Sequence, residues 1–454
     1  MHRRAGVKRL VVGLVAIGVG TACGGVVHAD DAPGGRIVEM RVVPRTSLPG
    51  LVTPLGGISD LTAGPAAVGT MPERFWAITD RGPNGSVMVG DVRRRTLVEP
   101  GFVPSIVALS WPTSADDGKV RIDAILPLAD RDGVPLSGRP NGIVRDEPIL
   151  TADGREAVSP DPDGIDSEGV VRLADGTFWI VEEYRPSILH VGADGRAIAR
   201  YVPAGHRLEG AGMTVHDVLP AAYGSRRDNR GFEAVAVAPD ESRLWAMVQS
   251  PLDHPEPGPG RETGNVRLLA FDLAAGRPVG EFVYEMDDPR TEAASSPAPA
   301  EPAAPDAQPV PPDGKLCAMV AIGPTTLLVL EQEGGKARLY RCEVDAATDT
   351  LGREADVPPV ETLADLGAAG IVPVTKTLVC DLTPLLPALR RDALGGEPAF
   401  DAPPVELKLE GMAVVGPRRI LLVNDNDFAV ATATGPAPRT CMWVVELPAH
   451  FQGE

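Results

Sequence analysis

Several short apolar runs in this chain begin at an acidic residue, and the run that follows each ends in acids or amides. Asp60, Glu168, Glu233 and Glu410 stand at the starts. Asp80, Glu182 and Glu183, Gln249, Glu331 and Glu333, and the tetrad Asn424 to Asp427 stand at the ends. Carboxylates pressed together repel one another, and their pKa values rise unless a cation neutralises them. Oxygen donors of this kind suit Ca²⁺, which takes six to eight of them. Ca²⁺ is therefore the expected ion. Glu168, Glu233 and Glu410 are the leading ligand candidates, joined by Asp60 and Asp425. The alternative for each acid is a structural one, accepting turn and backbone N–H bonds at a strand end.

Two arginines lie beside these acids, Arg81 in "TDRGPNG" and Arg185 in "EEYRPS". A guanidinium grips a phosphoryl or carboxylate group with two parallel hydrogen bonds. A cation beside an arginine can stabilise the charge that develops in phosphoester transfer. In this reading Asp80 or Glu183 positions water, and Arg81 and Arg185 bind a small anionic substrate. The competing reading has each arginine pair with a neighbouring acid to brace its turn. Other chemistries leave no mark. There is no G-x-S-x-G elbow, H-E-x-x-H pair, phosphate-cradling glycine loop or dinucleotide fingerprint. The acids of "DPDGIDSEG" at 161–169 miss the EF-hand spacing. Nothing in the spacing of the histidines selects one as a general base.

The elements that must carry these residues read as hairpins. "GGISDL" is followed by "RFWAITDRGPNG", "DSEGVVRL" by "TFWIVEEYRP", and "GFEAVAV" by "RLWAMVQSPL". "LCAMVAI" is followed by "TLLVLEQEGG", and "LEGMAVV" by "ILLVNDND". Tight turns such as "ADG" and "PDES" separate the runs, which is a β-hairpin signature. Further short runs follow most pairs, giving about four strands per unit. The expected fold is all-β, a propeller of about six four-stranded blades. Antiparallel pairing puts the start of each first strand beside the end of the second, so the acids converge on one rim. Trp76, Trp179 and Trp245 recur at matched positions and read as packing between blades. The lone run "RIVEMRVVP" at 36–44 supplies the strand that the last unit, ending in "CMWVVELPA", lacks, and so closes the ring. Residues 36–450 then form one domain. The Pro/Ala-rich stretch 290–314 is an extended or disordered insertion, and a short helix is expected near 381–391.

The chain has 454 residues, with Gly 50 and Pro 46, in keeping with many turns. Its formal net charge of −19 excludes phosphate-backbone binding as a design, so no nucleic acid is expected. "MHRRAGVKRL" followed by "VVGLVAIGVGTA" reads as an export signal over 1–29, with cleavage favoured over lipidation at Cys23. No other run is long enough to span a bilayer, so a periplasmic or secreted, soluble monomer is expected. Cys317, Cys342, Cys380 and Cys441 permit two disulfides in an oxidising compartment, with buried free thiols as the alternative.

The linked motifs "GGISDL…FWAITDRGPN", "DSEGV…FWIVEEYRPSI", "RGFEAVAV…LWAMVQSPL" and "LEGMAVV…ILLVNDND" resemble the esterase-like phytase family of exported bacterial proteins. The likeness runs from about residue 50 to the C-terminus. It implies a β-propeller and a phosphoester or ester hydrolase activity, without fixing a catalytic list. Ca²⁺-dependent phosphoester hydrolysis is the leading expectation. A lactonase or carboxylesterase, or a non-catalytic propeller binding a ligand or envelope protein, are the alternatives.

Overall fold

The computed structural model describes residues 34–48, 51–66, 70–113, 117–142, 148–287, 314–333, 335–354, 356–396, 407–430, 438–448 and 451. The segment 1–29 with Cys23, and the stretch 290–314 apart from Gly314, lie outside the described residues. The described chain is all-β, mostly strands with few helices.

Alternation of side chains between two faces, broken by turn residues, makes each strand. β1 spans Arg36–Val42. Unit 1 holds β2 (Ile58–Ala63) and β3 (Arg74–Thr79), then an inserted hairpin of β4 (Asn84–Val89) and β5 (Val92–Leu97), then β6 (Ser105–Ser110) and β7 (Arg121–Pro127). Its main sheet runs β2-β3-β6-β7, while β4 and β5 form a small sheet with β8 (Leu150–Thr151). Unit 2 holds β9 (Ser167–Arg172), β10 (Phe178–Glu182), β11 (Ser187–Val191) and β12 (Ala197–Pro203), with β13 (Thr214–Leu219) added in parallel. Its first turn shows the local logic. Gly176 takes a positive φ of 92°, and Asp175 accepts the Thr177 N–H at 2.8 Å.

Unit 3 holds β14 (Phe232–Val237), β15 (Arg243–Val248), β16 (Asn265–Asp272) and β17 (Arg277–Glu285). Unit 4 holds β18 (Lys315–Ala321), β19 (Thr326–Glu333), β20 (Lys336–Glu343) and β21 (Thr375–Asp381). After it comes α1 (Leu386–Leu394), the short helix expected there. Unit 5 holds β22 (Lys408–Gly416), β23 (Arg419–Asp425) and β24 (Cys441–Glu446), and β1 pairs antiparallel with β24 to complete it.

The first strands touch in cyclic order: β2 against β9, β9 against β14, β14 against β18, β18 against β22, and β22 against β2. The apolar clusters lie between successive sheets. Ile78 and Ile106 of unit 1 meet Phe178 and Ile180 of unit 2. Leu330 of unit 4 meets Leu422 and Trp443 of unit 5. Phe75 and Val107 of unit 1 meet Val423 and Val444 of unit 5. Trp179 and Trp245 are buried in the cluster that joins units 2, 3 and 4, the packing role expected of them. Five hairpin-built sheets of this kind are present among the described residues, against an expectation of about six. The sixth sheet is the three-stranded insertion, which carries no first strand of its own.

The two disulfides that the cysteine count permits do not form. All four thiols are free and buried. Cys317, Cys380 and Cys441 sit in the apolar cluster of units 4 and 5, and Cys342 in that of units 2 to 4. Burial pushes the Cys342 and Cys441 thiols up to about 12 and Cys380 to about 11, which keeps them protonated and unreactive.

Each first strand carries a β-bulge at the same place. The residue without a cross-strand partner is Ser59 in unit 1 (between Ile58↔Thr79 and Asp60↔Ile78). It is Glu168 in unit 2, Glu233 in unit 3, Cys317 in unit 4 and Glu410 in unit 5. A bulge re-aims a side chain that regular pleating would send elsewhere. This repeated irregularity is what the site is built on.

Candidate functional site

Three equivalent positions per unit converge at one end of the five first strands. One is the bulge residue. The second is the residue two places before it: Gly57, Asp166, Gly231, Lys315 and Lys408. The third is the second-strand residue opposite that one. Asp80, Glu183 and Gln249 donate their N–H groups to the carbonyls of Gly57, Asp166 and Gly231 at 2.8, 2.9 and 2.8 Å. Gln332 pairs with Lys315 and Asp425 with Lys408. A polar cavity of about 150 Å³ forms there. Asp80, Arg81, Glu168, Glu183, Glu233, Glu410 and Asp425, all marked from the sequence, line it.

All three positions are acidic in unit 2 alone. Asp166, Glu168 and Glu183 each offer a carboxylate oxygen, and these oxygens lie within 4.8 Å of one another. Arg81 braces the group. Its Nη1 donates to Asp166 Oδ2 at 2.5 Å and to Asn229 Oδ1 at 2.6 Å, and it lies 3.8 Å from Glu183 Oε2. One guanidinium among three carboxylates leaves an excess of two negative charges. Burial, then the Asp166 charge, pushes the Glu183 carboxyl up to about 7, against the pull of Arg81. Burial and the charge of Glu233 drive Glu168 well above the usual carboxylate range. Glu183 Oε1 and Glu233 Oε2 are buried without a hydrogen-bond partner. A buried carboxylate oxygen left unpaired is costly. An unpaired Glu183 oxygen in a group of three clustered carboxylates fits a hard cation that binds through oxygen.

The remaining acids line the same cavity in other company. Glu233 bonds to Gln249, and burial followed by Glu410 raises its pKa well. Glu410 is raised by burial, partly offset by Lys408 and Lys315. Asp425 accepts from Lys408 Nζ at 3.2 Å, and Lys408 also reaches Asp427 at 2.5 Å. Asp80 accepts the Gly82 N–H at 2.7 Å and is raised by burial, then by Asp425 and Asp166. The compact group of carboxylate oxygens is therefore Asp166, Glu168 and Glu183, which shares only Glu168 with the expected set of Glu168, Glu233 and Glu410.

Two of the residues given a metal or catalytic role from the sequence stand apart. Asp60 does not line the cavity. Its Oδ2 accepts the Val170 N–H at 2.9 Å, and it lines a separate cavity along the first strands with Val170, Val235 and Met412. The bulge makes Ser59, not Asp60, the counterpart of Glu168, and a one-residue slip turns a side chain to the other face. Arg185 also turns away, donating from Nη2 to the Gly142 carbonyl. The sequence reading left Asp166, Lys315, Lys408, Arg95, Asn229 and Arg230 without a role. The shared offset from the bulge would have flagged the first three.

Gly231 holds Glu183 in place by close approach. A Cβ there would lie 2.1 Å from the Glu183 carbonyl oxygen and 2.6 Å from its Cα. Gly231→Ala is expected to lower stability by about 1–3 kcal/mol and Ca²⁺ affinity by about tenfold or more, because ligands displaced by a fraction of an ångström coordinate poorly. Calorimetric titration and thermal melting check this. Wild-type calcium affinity in the variant would show that Glu183 is not anchored through this contact.

Fold and site together define an all-β protein of hairpin-built sheets in cyclic order, with an acid-rich cavity at the mouth of its first strands. The chain belongs to the Phytase-like family, described by esterase-like activity of phytase, whose model matches residues 53–428. An uncharacterized secreted protein of Arthroderma benhamiae is 24% identical over 238 residues, a match covering 46% of this chain and 46% of that one. The chain thus spans about half the length of the curated relative it matches. Among solved structures it is similar to the RRP9 WD40 repeats (TM-score 0.34, 10% identity, 91% of this chain and 99% of that one). It is also similar to a luciferin-regenerating enzyme (TM-score 0.32, 9% identity, 86% and 94%). A third is the PQQ-bound aldose sugar dehydrogenase of Streptomyces coelicolor (TM-score 0.29, 12% identity, 92% and 99%). At these TM-scores none of the three bears on this chain's function.

Proposed function

We propose that the protein is an exported, Ca²⁺-dependent hydrolase of small phosphoesters, built on a five-bladed β-propeller that β1 closes. The observation that carries this is the clustering of Asp166, Glu168 and Glu183 oxygens within 4.8 Å, in a cavity that also presents cationic side chains. Asp166, Glu168 and Glu183 would hold the ion. When bound, Ca²⁺ supplies Lewis-acid polarisation of a phosphoryl oxygen. Asp80, beside the acid group but outside it, orients water in the cavity. Arg81 holds Asp166 in place through its backbone N–H and its guanidinium. Lys315, Lys408, Arg95 and Arg230 give the cavity the positive charge that an anionic ester requires. The lining is polar throughout, which offers no apolar contact to a long acyl group. The basic, apolar N-terminus supports export, as does the name of the Arthroderma relative. Among the described residues no helix is long and apolar enough to cross a membrane.

The purified protein should be assayed on p-nitrophenyl phosphate, phytate and p-nitrophenyl acetate, with Ca²⁺ and with chelator. Phosphatase activity that is lost on chelation and restored by Ca²⁺ is the expected result. Hydrolysis of the acetate alone would favour a carboxylesterase. No turnover by a protein with a normal melt would favour a binding propeller.

A further inference from the structure

The three equivalent positions differ in charge between units: three acids in unit 2, one cation and no acid in unit 4, and a net single negative charge in units 1, 3 and 5. Unit 2 presents three carboxylates, Asp166, Glu168 and Glu183. Unit 4 presents Lys315, Cys317 and Gln332, and is alone in having a cation there and no acid. β18 packs between β14 and β22, two steps around from β9, so the cationic position faces the acidic one across the cavity. The cavity is therefore polarised, with one wall suited to a cation and the other to an anion.

Unit 5 is an internal control. Lys408 occupies the same position as Lys315, but its cross-strand partner is Asp425, and the two are ion-paired at 3.2 Å. The cross-strand partner of Lys315 is Gln332, which carries no charge. The Gln332 amide is committed elsewhere: its Nε2 donates to the Leu407 carbonyl at 3.2 Å, and its Oε1 accepts the Leu409 N–H at 3.0 Å. Among the described residues the Lys315 ammonium has no hydrogen bond and no ion pair, although it lines the cavity half-buried. The other cavity cations are engaged: Arg81 by Asp166, Arg95 by Asp228 at 3.7 Å and Lys408 by two aspartates, while Arg230 also has a partner. Burial weakens the hold of Lys315 on its proton, but the field of Glu410 outweighs that and keeps it charged at neutral pH. A charged, half-desolvated ammonium with no hydrogen bond or ion pair is a ready donor for an oxyanion.

We propose that Lys315 is the anion-binding residue of this site, taking the non-bridging oxygens of a phosphoryl group whose metal counter-ion is held opposite by Asp166, Glu168 and Glu183. This deepens the hydrolase reading above and rests on it for the ligand's identity as a phosphoester and for the metal ion opposite. It moves the anion-binding role from Arg81 and Arg185 to a residue that neither charge clustering nor family likeness marks.

The test is calorimetric binding of inorganic phosphate to the whole protein with Ca²⁺ at saturation, alongside p-nitrophenyl phosphate turnover. Wild type is expected to bind phosphate. Lys315→Met should weaken binding by about tenfold or more, the scale of one charge-assisted hydrogen bond. Lys315→Arg should recover most of the loss, and calcium affinity without phosphate should stay near wild type. Gln332→Glu sets a carboxylate opposite Lys315, as Asp425 stands opposite Lys408, and should weaken phosphate binding with the lysine in place. It serves as the second arm should Lys315→Met melt early. Wild-type phosphate affinity in both Lys315→Met and Gln332→Glu, or no phosphate binding by wild type, overturns the assignment. Phosphate binding that needs Lys315 in a protein without turnover would sink the hydrolase reading and leave the anion site standing.

Discussion

Deleting β1 should melt the protein well below wild type and leave it prone to self-association. β1 forms no hairpin with its neighbour in sequence. It pairs along Arg36↔Glu446, Met40↔Trp443 and Val42↔Cys441 with the last strand of the chain, about 400 residues away. Ile37, Met40 and Val42 pack on the apolar cluster of units 4 and 5, and Val38 packs on that of units 5 and 1. Its removal strips one edge of β24 of partners and exposes apolar surface on both sides. Loss of several buried backbone hydrogen bonds at about 1 kcal/mol each, with the apolar burial, comes to roughly 5 kcal/mol or more. That is a large share of the 5–15 kcal/mol that ordinary domains possess. A fall in melting temperature of about 10 °C is expected. Light scattering should show oligomers, because an unpaired strand edge templates pairing with another chain. A truncated protein that melts like wild type and stays monomeric would remove ring closure by β1 from the account.

The fold was legible because its units repeat local chemistry. Runs such as Phe178–Glu182 and Arg243–Val248 are short and rich in β-formers, and Asp-Gly or Pro-Asp turns set them off. The count was less legible. The hairpin of β4 and β5 has strand-like sequence but builds no further unit. At the site, Glu168, Glu233 and Glu410 were found because one residue type recurs in one context. Asp60 was misplaced by one residue: it stands one place after the bulge, where units 2, 3 and 5 have Gly169, Ala234 and Gly411, and Ser59 holds the bulge position itself. Glu331 and Glu333 misled through alternation. They flank Gln332 and point to the other face, where Glu331 pairs with Lys376 at 2.6 Å. Asp166, Lys315 and Lys408 escaped because the offset that relates them is structural. Their types differ, and that difference is what polarises the cavity.

Glu183→Gln should make the calcium-free protein more stable and the calcium-bound protein less so. The Glu183 carboxyl is raised from 4.5 to about 7 in the fold, by burial and then by Asp166. Such a group binds its proton more tightly folded than unfolded. The penalty is absent below about pH 4.5, grows as pH rises through about 7, and is fully present above it. It amounts to roughly 3 kcal/mol for a shift of this size. Asp80, Glu168, Glu233 and Asp425 are raised in the same sense, whereas Asp427 is lowered: burial pushes it up, but Lys408 outweighs that. Chelated wild type should therefore lose several degrees of melting temperature between pH 5 and pH 8. Calcium reverses the trend, because an ion that binds only the folded state adds about 4 kcal/mol at a thousandfold excess over Kd. Glutamine keeps the shape of Glu183 without its charge, so the chelated variant should melt above chelated wild type at pH 8. The same change removes a ligand oxygen and the charge that draws the ion. Calcium affinity should fall by about a hundredfold or more, at or beyond the loss seen when only a supporting hydrogen bond to a ligand is removed. Stability and metal affinity moving in opposite directions cannot come from a merely structural glutamate, whose replacement lowers the melt with or without calcium. A calcium-free melting profile that is flat from pH 5 to pH 8, or a Glu183→Gln protein that binds calcium like wild type, would take the ion out of this cavity.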